Sequence, residues 1–345
     1  MSKTLADLCD DLDKAIGANA DNQAVTQWID TGSPELNYAI SGRYEGGLPY
    51  GRMVEMFGES STGKTALATK WMARAQELGG VAGFIDWERS FSVDLATAGF
   101  GLNDRRPHWI YGKPRTWEEG NVLAAKAIQA IRKSGAIPDE APILFVFDSI
   151  AAALPKSQAD KEIDEYTMND TTALARVTST TLKAMAQHAE EHNATFLYLN
   201  QIRLKPGVVY GDPRTTPGGK AMEYYASARI ALGRQKIMEQ KGGEKEFAGQ
   251  NITAQVTKSK FTKPFKEANL RMTFDDAGVA HFDMTFSLLE FLIEKGAVPY
   301  SKPYATWDDG KKYHVKALAK HIDETGQQAV LMAKLPPLPG VAVAA

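Results

Sequence analysis

The run Gly58-Glu59-Ser60-Ser61-Thr62-Gly63-Lys64-Thr65 constrains this chain more than any other stretch. It follows an apolar segment ending at Phe57 and opens a helical pattern starting at Lys64. Glycines let the backbone close tightly around an anion, and the amide groups at the helix start point inward, where the helix dipole also favours negative charge. In that strand–loop–helix setting, Lys64 supplies a cation for terminal phosphates and the Thr65 hydroxyl a ligand for Mg²⁺. Residues 58–65 are therefore the expected nucleotide-binding loop, and a chain built around it is α/β with the loop at a sheet edge.

The surrounding pattern agrees. Arg52 to Phe57, Val81 to Asp86, Ile143 to Asp148, Thr195 to Leu199 and Arg229 to Gly233 read as strands. The middle ones are nearly continuous in apolar residues, as parallel strands covered on both faces are. Residues 64–78, 118–133 and 171–192 read as helices between them, giving a βαβ succession and a mostly parallel central sheet flanked by helices. Residues 235–250 turn to Lys, Glu, Gln and Gly, a surface hairpin or flexible turn, before strands near 251–258 and 268–274.

Four regions are expected. Residues 1–30 hold a short amphipathic helix, with Leu5, Leu8, Cys9, Leu12 and Ile16 on one face, and a small polar linker at 17–22. This helix packs either on its own core or on a neighbouring subunit. Residues 31–275 form the nucleotide-binding core, residues 276–330 a small α/β C-terminal domain with helices near 286–293 and 314–323, and residues 331–345 a disordered tail. With 345 residues, 43% of them hydrophobic, the chain has material for that core. The single cysteine, Cys9, excludes an internal disulfide framework, and no apolar run is long enough to span a bilayer, so a reducing, cytoplasmic setting without membrane attachment is expected.

Net charge is −2, so an attraction to nucleic acid has to come from local clustering of cations. Residues 201–220 provide it: Arg203, Lys205, Arg214 and Lys220 stand against Asp212, interleaved with Gly207, Gly211 and Tyr210. Such a basic loop with an aromatic suits a phosphate backbone and its bases, and also fits a plain solvated loop. Asp148, at the carboxyl end of its strand, is positioned to reach the Mg²⁺. Hydrolysis further needs a group that orients water, and two acids stand near the end of the strand 81–86: Asp86 and Glu88. Lys258 and Lys260 project to the same side of a strand, a pattern that also serves to protect an exposed edge.

Gly46-Gly-Leu-Pro-Tyr-Gly-Arg52, the loop 58–65, Phe84-Ile-Asp-Trp-Glu88, Asp148-Ser-Ile-Ala-Ala, Asn200-Gln-Ile-Arg203, Thr215-Thr-Pro-Gly-Gly219 and Tyr224-Tyr-Ala-Ser227 together resemble the bacterial RecA family in order and spacing, strongly over about 28–275. The resemblance implies an ATP- and Mg²⁺-dependent, DNA-dependent ATPase that forms helical filaments on single-stranded DNA and pairs it with homologous double-stranded DNA. Within it, Glu88 activates water, Gln201 senses the γ-phosphate, and Lys258 and Lys260 reach the neighbouring subunit's ATP. Loops at about 156–171 and 202–216 bind DNA; Arg176, Gly218 and Gly219 join the DNA-binding set, and Tyr224 is an interface aromatic. The chain departs from the family at Leu95, where a tyrosine would face adenine, and at Pro206 and Arg214 in the second loop. A RecA-fold motor, such as a hexameric helicase-like ATPase, and a non-catalytic regulator are the competing readings. Asn200-Gln-Ile-Arg203 with the Lys258/Lys260 pair speaks against the first, and intact Lys64, Thr65, Glu88 and Asp148 against the second.

Overall fold

A computed structural model describes Thr4 and residues 25–162, 165, 172–204, 214–241 and 243–338. The expected N-terminal helix, much of the two expected DNA-binding loops and the end of the tail lie outside these residues.

The succession opens with β1 (Trp28–Ile29), α1 (Pro34–Ser41), β2 (Leu48–Pro49), β3 (Met53–Gly58) and α2 (Lys64–Glu77). β4 (Val81–Asp86), α3 (Val93–Phe100), β5 (Trp109–Gly112), α4 (Trp117–Ser134) and β6 (Ile143–Asp148) follow. Then come α5 (Ala173–Glu191), β7 (Thr195–Gln201), β8 (Arg203–Leu204), β9 (Arg214–Thr215), α6 (Ala221–Tyr225), β10 (Ala228–Lys241), β11 (Glu244–Ser259), β12 (Glu267–Phe274) and β13 (Ala280–Asp283). These build a nine-stranded sheet in the order β13-β12-β11-β10-β3-β7-β6-β4-β5. From β10 to β5 neighbouring strands are parallel, and from β10 to β13 antiparallel. The short β1 pairs with β2 of the same chain.

Side-chain alternation makes the sheet a partition between two cores. Along β6, Leu144 and Val146 join a cluster with Trp71 and Met72 of α2, whereas Ile143, Phe145 and Phe147 join one with Trp117 and Ile128 of α4 and Leu182 of α5. Both sets are apolar because both faces are covered, which is why the sequence shows a continuous run rather than alternation. On the second face Trp87, Trp117, Phe147 and Tyr198 pack as a chain of rings, with centroids 5.2 Å apart for Trp87–Trp117 and 4.2 Å for Phe147–Tyr198.

Local chemistry fixes the helix ends. Thr116 accepts from the Glu119 amide at 3.1 Å while the Glu119 carboxylate accepts from the Thr116 amide at 3.2 Å, a reciprocal cap that starts α4. α4 then ends at Gly135, whose φ of 61° is the left-handed turn that closes many helices.

The stretch 235–250 is a hairpin: β10 and β11 stay paired through Lys241↔Glu244. A third apolar cluster gathers Phe286, Leu289 and Leu292 from α7 (Met284–Glu294), Trp307, Leu318 and Ile322 from α8 (Val315–Glu324), and Leu331 from α9 (Gln328–Met332). Among the described residues no helix is long and apolar enough to cross a membrane.

Candidate nucleotide site and the paths leading from it

β3 ends at Gly58, and the loop runs from there into α2. A side chain at Gly58 would lie 2.7 Å from the Leu232 carbonyl, and Gly63 adopts a φ of 91° with Ile252 only 2.6 Å from where a Cβ would stand. Packing therefore requires a glycine at Gly58, and packing together with the left-handed turn requires one at Gly63. Lys64 Nζ donates to the carbonyls of Gly58 at 3.1 Å and Glu59 at 2.7 Å, so the cation lies across the loop it belongs to. Burial lowers its pKa, against the raising effect of Asp148 and Glu88.

The Thr65 hydroxyl donates to Asp148 Oδ2 at 2.8 Å, bringing the two expected metal ligands together from the start of α2 and the end of β6. Asp148 is buried, and burial, followed by the negative charge of Glu88, pushes its pKa up to about 7; the Thr65 hydrogen bond opposes this. An oxygen-only pair holding a buried acid in that condition fits a hard divalent cation, whose charge would restore the carboxylate.

The two acids near the end of β4 have different fates. Asp86 is a local cap: it accepts from the Arg89 amide at 2.6 Å, the Phe91 amide at 3.3 Å and the Tyr111 hydroxyl at 2.8 Å. Glu88 instead faces the ends of β6 and β7. Its Oε1 accepts from the Ser149 hydroxyl at 2.5 Å and from Gln201 Nε2 at 3.1 Å. Ser149 carried no role in the sequence reading, although its place directly after Asp148 was the available signal.

Gln201 ends β7, and the chain leaves it into the basic loop, whose base is a two-residue ladder, Arg203↔Thr215 and Leu204↔Arg214. Arg203 is exposed. Lys205, Gly207, Tyr210 and Gly211 lie outside the described residues, as do Pro206 and the Arg214 side chain. Gly218 and Gly219 both take positive φ and pack closely, Gly218 against Ile150 and Thr178 and Gly219 against Ala175, so they dock the loop exit on the first turns of α5. Arg176 is exposed on those same turns.

Beside Gln201, Asn200 is fully buried and donates from Nδ2 to Glu55 Oε1 at 2.9 Å and to the Pro217 carbonyl at 3.0 Å. Glu55, also fully buried, accepts from Arg229 Nε at 2.6 Å. This polar knot ties β3, β7, β10 and the loop exit together, and sequence patterning did not find it. A lone Glu inside an otherwise apolar strand was its trace.

Leu95 is exposed and lines a cleft of about 240 Å³ beside Thr65 and Ala66, with Phe91, Phe100, Met272 and Phe274. The Leu95 position is therefore next to the loop, with aromatic walls from Phe91 and Phe100 of its own segment and from Phe274 at the end of β12.

Lys258 and Lys260 lie elsewhere. Through β10, Lys258 is level with Arg229 and hence with Glu55 of β3, three residues short of Gly58 and two strands to the side. That is about 10 Å along the sheet and a similar distance across it, beyond a lysine's reach to its own loop. Lys258 Nζ is turned toward the carbonyls of Glu223 at 2.5 Å and Tyr224 at 3.2 Å. Its pKa is lowered by burial and by the neighbouring Lys260 and Arg229 charges. Lys260 and Tyr224, the latter 70% exposed, line a cavity of about 650 Å³ with Gly51, Arg52 and Met53, at the pole where the parallel strands begin.

Comparison with known proteins adds an independent finding. Residues 12–280 match the profile of the RecA N-terminal domain. Protein RecA of Lactococcus lactis subsp. cremoris is 34% identical over 317 residues, which is 90% of this chain and 76% of the relative. Protein RecA of Chlamydia trachomatis serovar L2 is 33% identical over 284 residues, 82% of this chain and 74% of the relative.

Proposed function

The chain belongs to the RecA family, and from that premise we propose that it is an ATP-dependent recombinase that polymerises on single-stranded DNA and pairs it with homologous duplex. Glu88 carries the reading: one carboxylate oxygen is shared by Ser149, which follows the metal-site acid, and by Gln201, which opens the basic loop.

In this reading residues 58–65 wrap the phosphates of ATP, with Lys64 on the terminal ones. Thr65 and Asp148 would hold Mg²⁺, which when bound neutralises developing phosphate charge. The adenine lies against Leu95 and its aromatic neighbours. Glu88 orients and deprotonates the attacking water. Gln201 has two competing partners, the γ-phosphate and Glu88, so a change of nucleotide changes the root of the basic loop. Asn200 and Glu55 carry the same change to Pro217 at the loop's exit and to Arg229 toward the amino pole.

Arg176, Arg203, Lys205, Gly207, Tyr210, Gly211, Arg214, Gly218 and Gly219 form or shape the DNA-binding surface. Lys258 and Lys260 act on the ATP of the next subunit, which makes hydrolysis depend on the polymer, and Tyr224 is an aromatic of the same interface. The division proposed is an oligomerisation segment at 1–30, a core at 31–275, a small domain at 276–330 and a tail at 331–345.

Glu88→Gln tests the base. Nucleotide-stabilised filaments on single-stranded DNA are expected to persist while turnover is nearly lost; sustained turnover would show that another group activates water. Electron microscopy of the wild-type protein with single-stranded DNA and a non-hydrolysable ATP analogue tests assembly. Open helical filaments support the recombinase, and closed rings support the motor.

A further inference from the structure

At the far end of α5 from the DNA-binding loops, three side chains converge that the ATPase reading does not use. His188, Glu191 and His192 follow one another at i, i+3 and i+4, the spacing that places residues on one helix face. One ligand-capable atom from each lies within 4.8 Å of those of the other two. The two imidazole rings are nearly parallel, 19° apart, with centroids 5.9 Å apart.

Polar satisfaction points the same way. His188 Nδ1 and His192 Nε2 are shielded from solvent and have no hydrogen-bond partner, whereas buried polar atoms are as a rule paired. The neighbouring glutamate, Glu190, turns away to Arg52 at 3.1 Å, so the two adjacent carboxylates are divided between an ion pair and the histidines. The nearby Arg132 guanidinium is spent on backbone carbonyls, those of His192, Asn193, Ala141 and Pro138. The cluster also lies where α5 ends, and the carbonyl end of a helix dipole favours a cation.

We propose that His188, Glu191 and His192 form a binding site for a first-row transition-metal ion of the Zn²⁺, Co²⁺ or Ni²⁺ class. Two imidazoles and one carboxylate select these borderline ions over Mg²⁺, which takes oxygen donors, so the site is chemically distinct from the Thr65/Asp148 pair. Zn–N bonds of about 2.0–2.1 Å set tetrahedral donors about 3.3 Å apart. Side-chain rotation closes that difference, and Glu191, being exposed, is free to make it. Three protein ligands leave one position for water. A bound ion clamps the last turn of α5 to the residue that caps it, His192, just before the turn through Asn193 into β7.

The test is Zn²⁺ titration by calorimetry of the full-length, chelator-treated protein without nucleotide and with excess Mg²⁺ to occupy the oxygen site. It compares wild type with His188→Gln, His192→Gln and Glu191→Gln. One equivalent is expected to bind, with affinity falling tenfold or more in each histidine variant and less in Glu191→Gln, and with a Zn²⁺-dependent rise in melting temperature that is reduced in Glu191→Gln and lost in the histidine variants. Unchanged affinity in the histidine variants, as would follow if Cys9 or another histidine held the ion, overturns the proposal, and so does the absence of binding. X-ray absorption of the Zn²⁺-loaded wild-type protein does not depend on the variants folding: a shell with two imidazoles supports the site, and a shell without them refutes it.

Discussion

Glu35→Gln is expected to stabilise the protein in a pH-dependent way. Glu35 sits in the first turn of α1, is 9% exposed, and accepts a hydrogen bond from the Asn269 amide at 2.9 Å. Burial, and after it the charges of Glu294 and Glu290, outweigh that hydrogen bond and Lys295 and push its pKa from 4.5 to about 7. Folding thus favours the protonated carboxyl. Its contribution is fully present below pH 4.5 and is lost as pH rises through about 7, where the folded protein must ionise a buried acid. At about 1.4 kcal/mol per unit, the full swing is about 3 kcal/mol, most of it falling between pH 5 and 8. Glutamine keeps an acceptor for Asn269 and cannot ionise. Urea denaturation of wild type and Glu35→Gln at pH 5, 6, 7 and 8 isolates this carboxyl, because Asp148 and the other shifted groups are common to both proteins. The stability difference is expected to move in favour of the variant by about 2–3 kcal/mol over that range. A difference that stays flat with pH, or moves the other way, would refute the assignment of this burial cost to Glu35.

Other perturbations test the remaining structure. Glu55→Ala strands the Arg229 guanidinium and Asn200 in the interior and is expected to cost about 3–5 kcal/mol in chemical denaturation. Gly83→Ala places a methyl 2.3 Å from the Phe145 ring of the adjacent strand, and a loss of about 1–3 kcal/mol is expected, partly recovered by pairing it with Phe145→Leu. Lys258→Ala with Lys260→Ala is expected to leave nucleotide affinity of dilute protein unchanged while DNA-stimulated turnover drops by about 10³-fold or more. Equal losses in both measurements would show that the lysines serve their own subunit's site.

Elements whose pattern is repeated over many residues were legible in the sequence. The strand 81–86 and the strand 143–148 coincide with β4 and β6, and the helix expected at 118–133 is α4 with one residue more at each end. Short elements with mixed patterns escaped: β5 has four residues at the sheet's edge, all half-buried, and α3 buries only Ala96 and Phe100. The hairpin at 228–259 was readable as strand at its apolar ends, whereas its polar length over 235–250 left hairpin and flexible turn as alternatives, because backbone pairing rather than burial holds the strands there. The loop 58–65 and Asp148 announced themselves by spacing. Glu88 did not separate from Asp86 by pattern, because the difference between them lies in which donors surround each one, and those come from residues 89, 91 and 111 for one acid and from 149 and 201 for the other. Glu55 and Arg229 are far apart in the chain and meet only through the register of β3 and β10.

The change of strand direction at β10 has a consequence for assembly. Nucleotide residues crowd one pole of the sheet, while the antiparallel return of β11 carries Lys258 and Lys260 to the other. Under the proposed reading, each copy therefore presents a socket at one end and the matching plug at the opposite end. Such head-to-tail contacts do not use themselves up in a pair: every added copy leaves one socket and one plug unfilled, so growth ends only by closure into a ring or by running out of template. Catalytic output then scales with junctions rather than with chains, and a lone copy, or the last one in a row, is silent by construction.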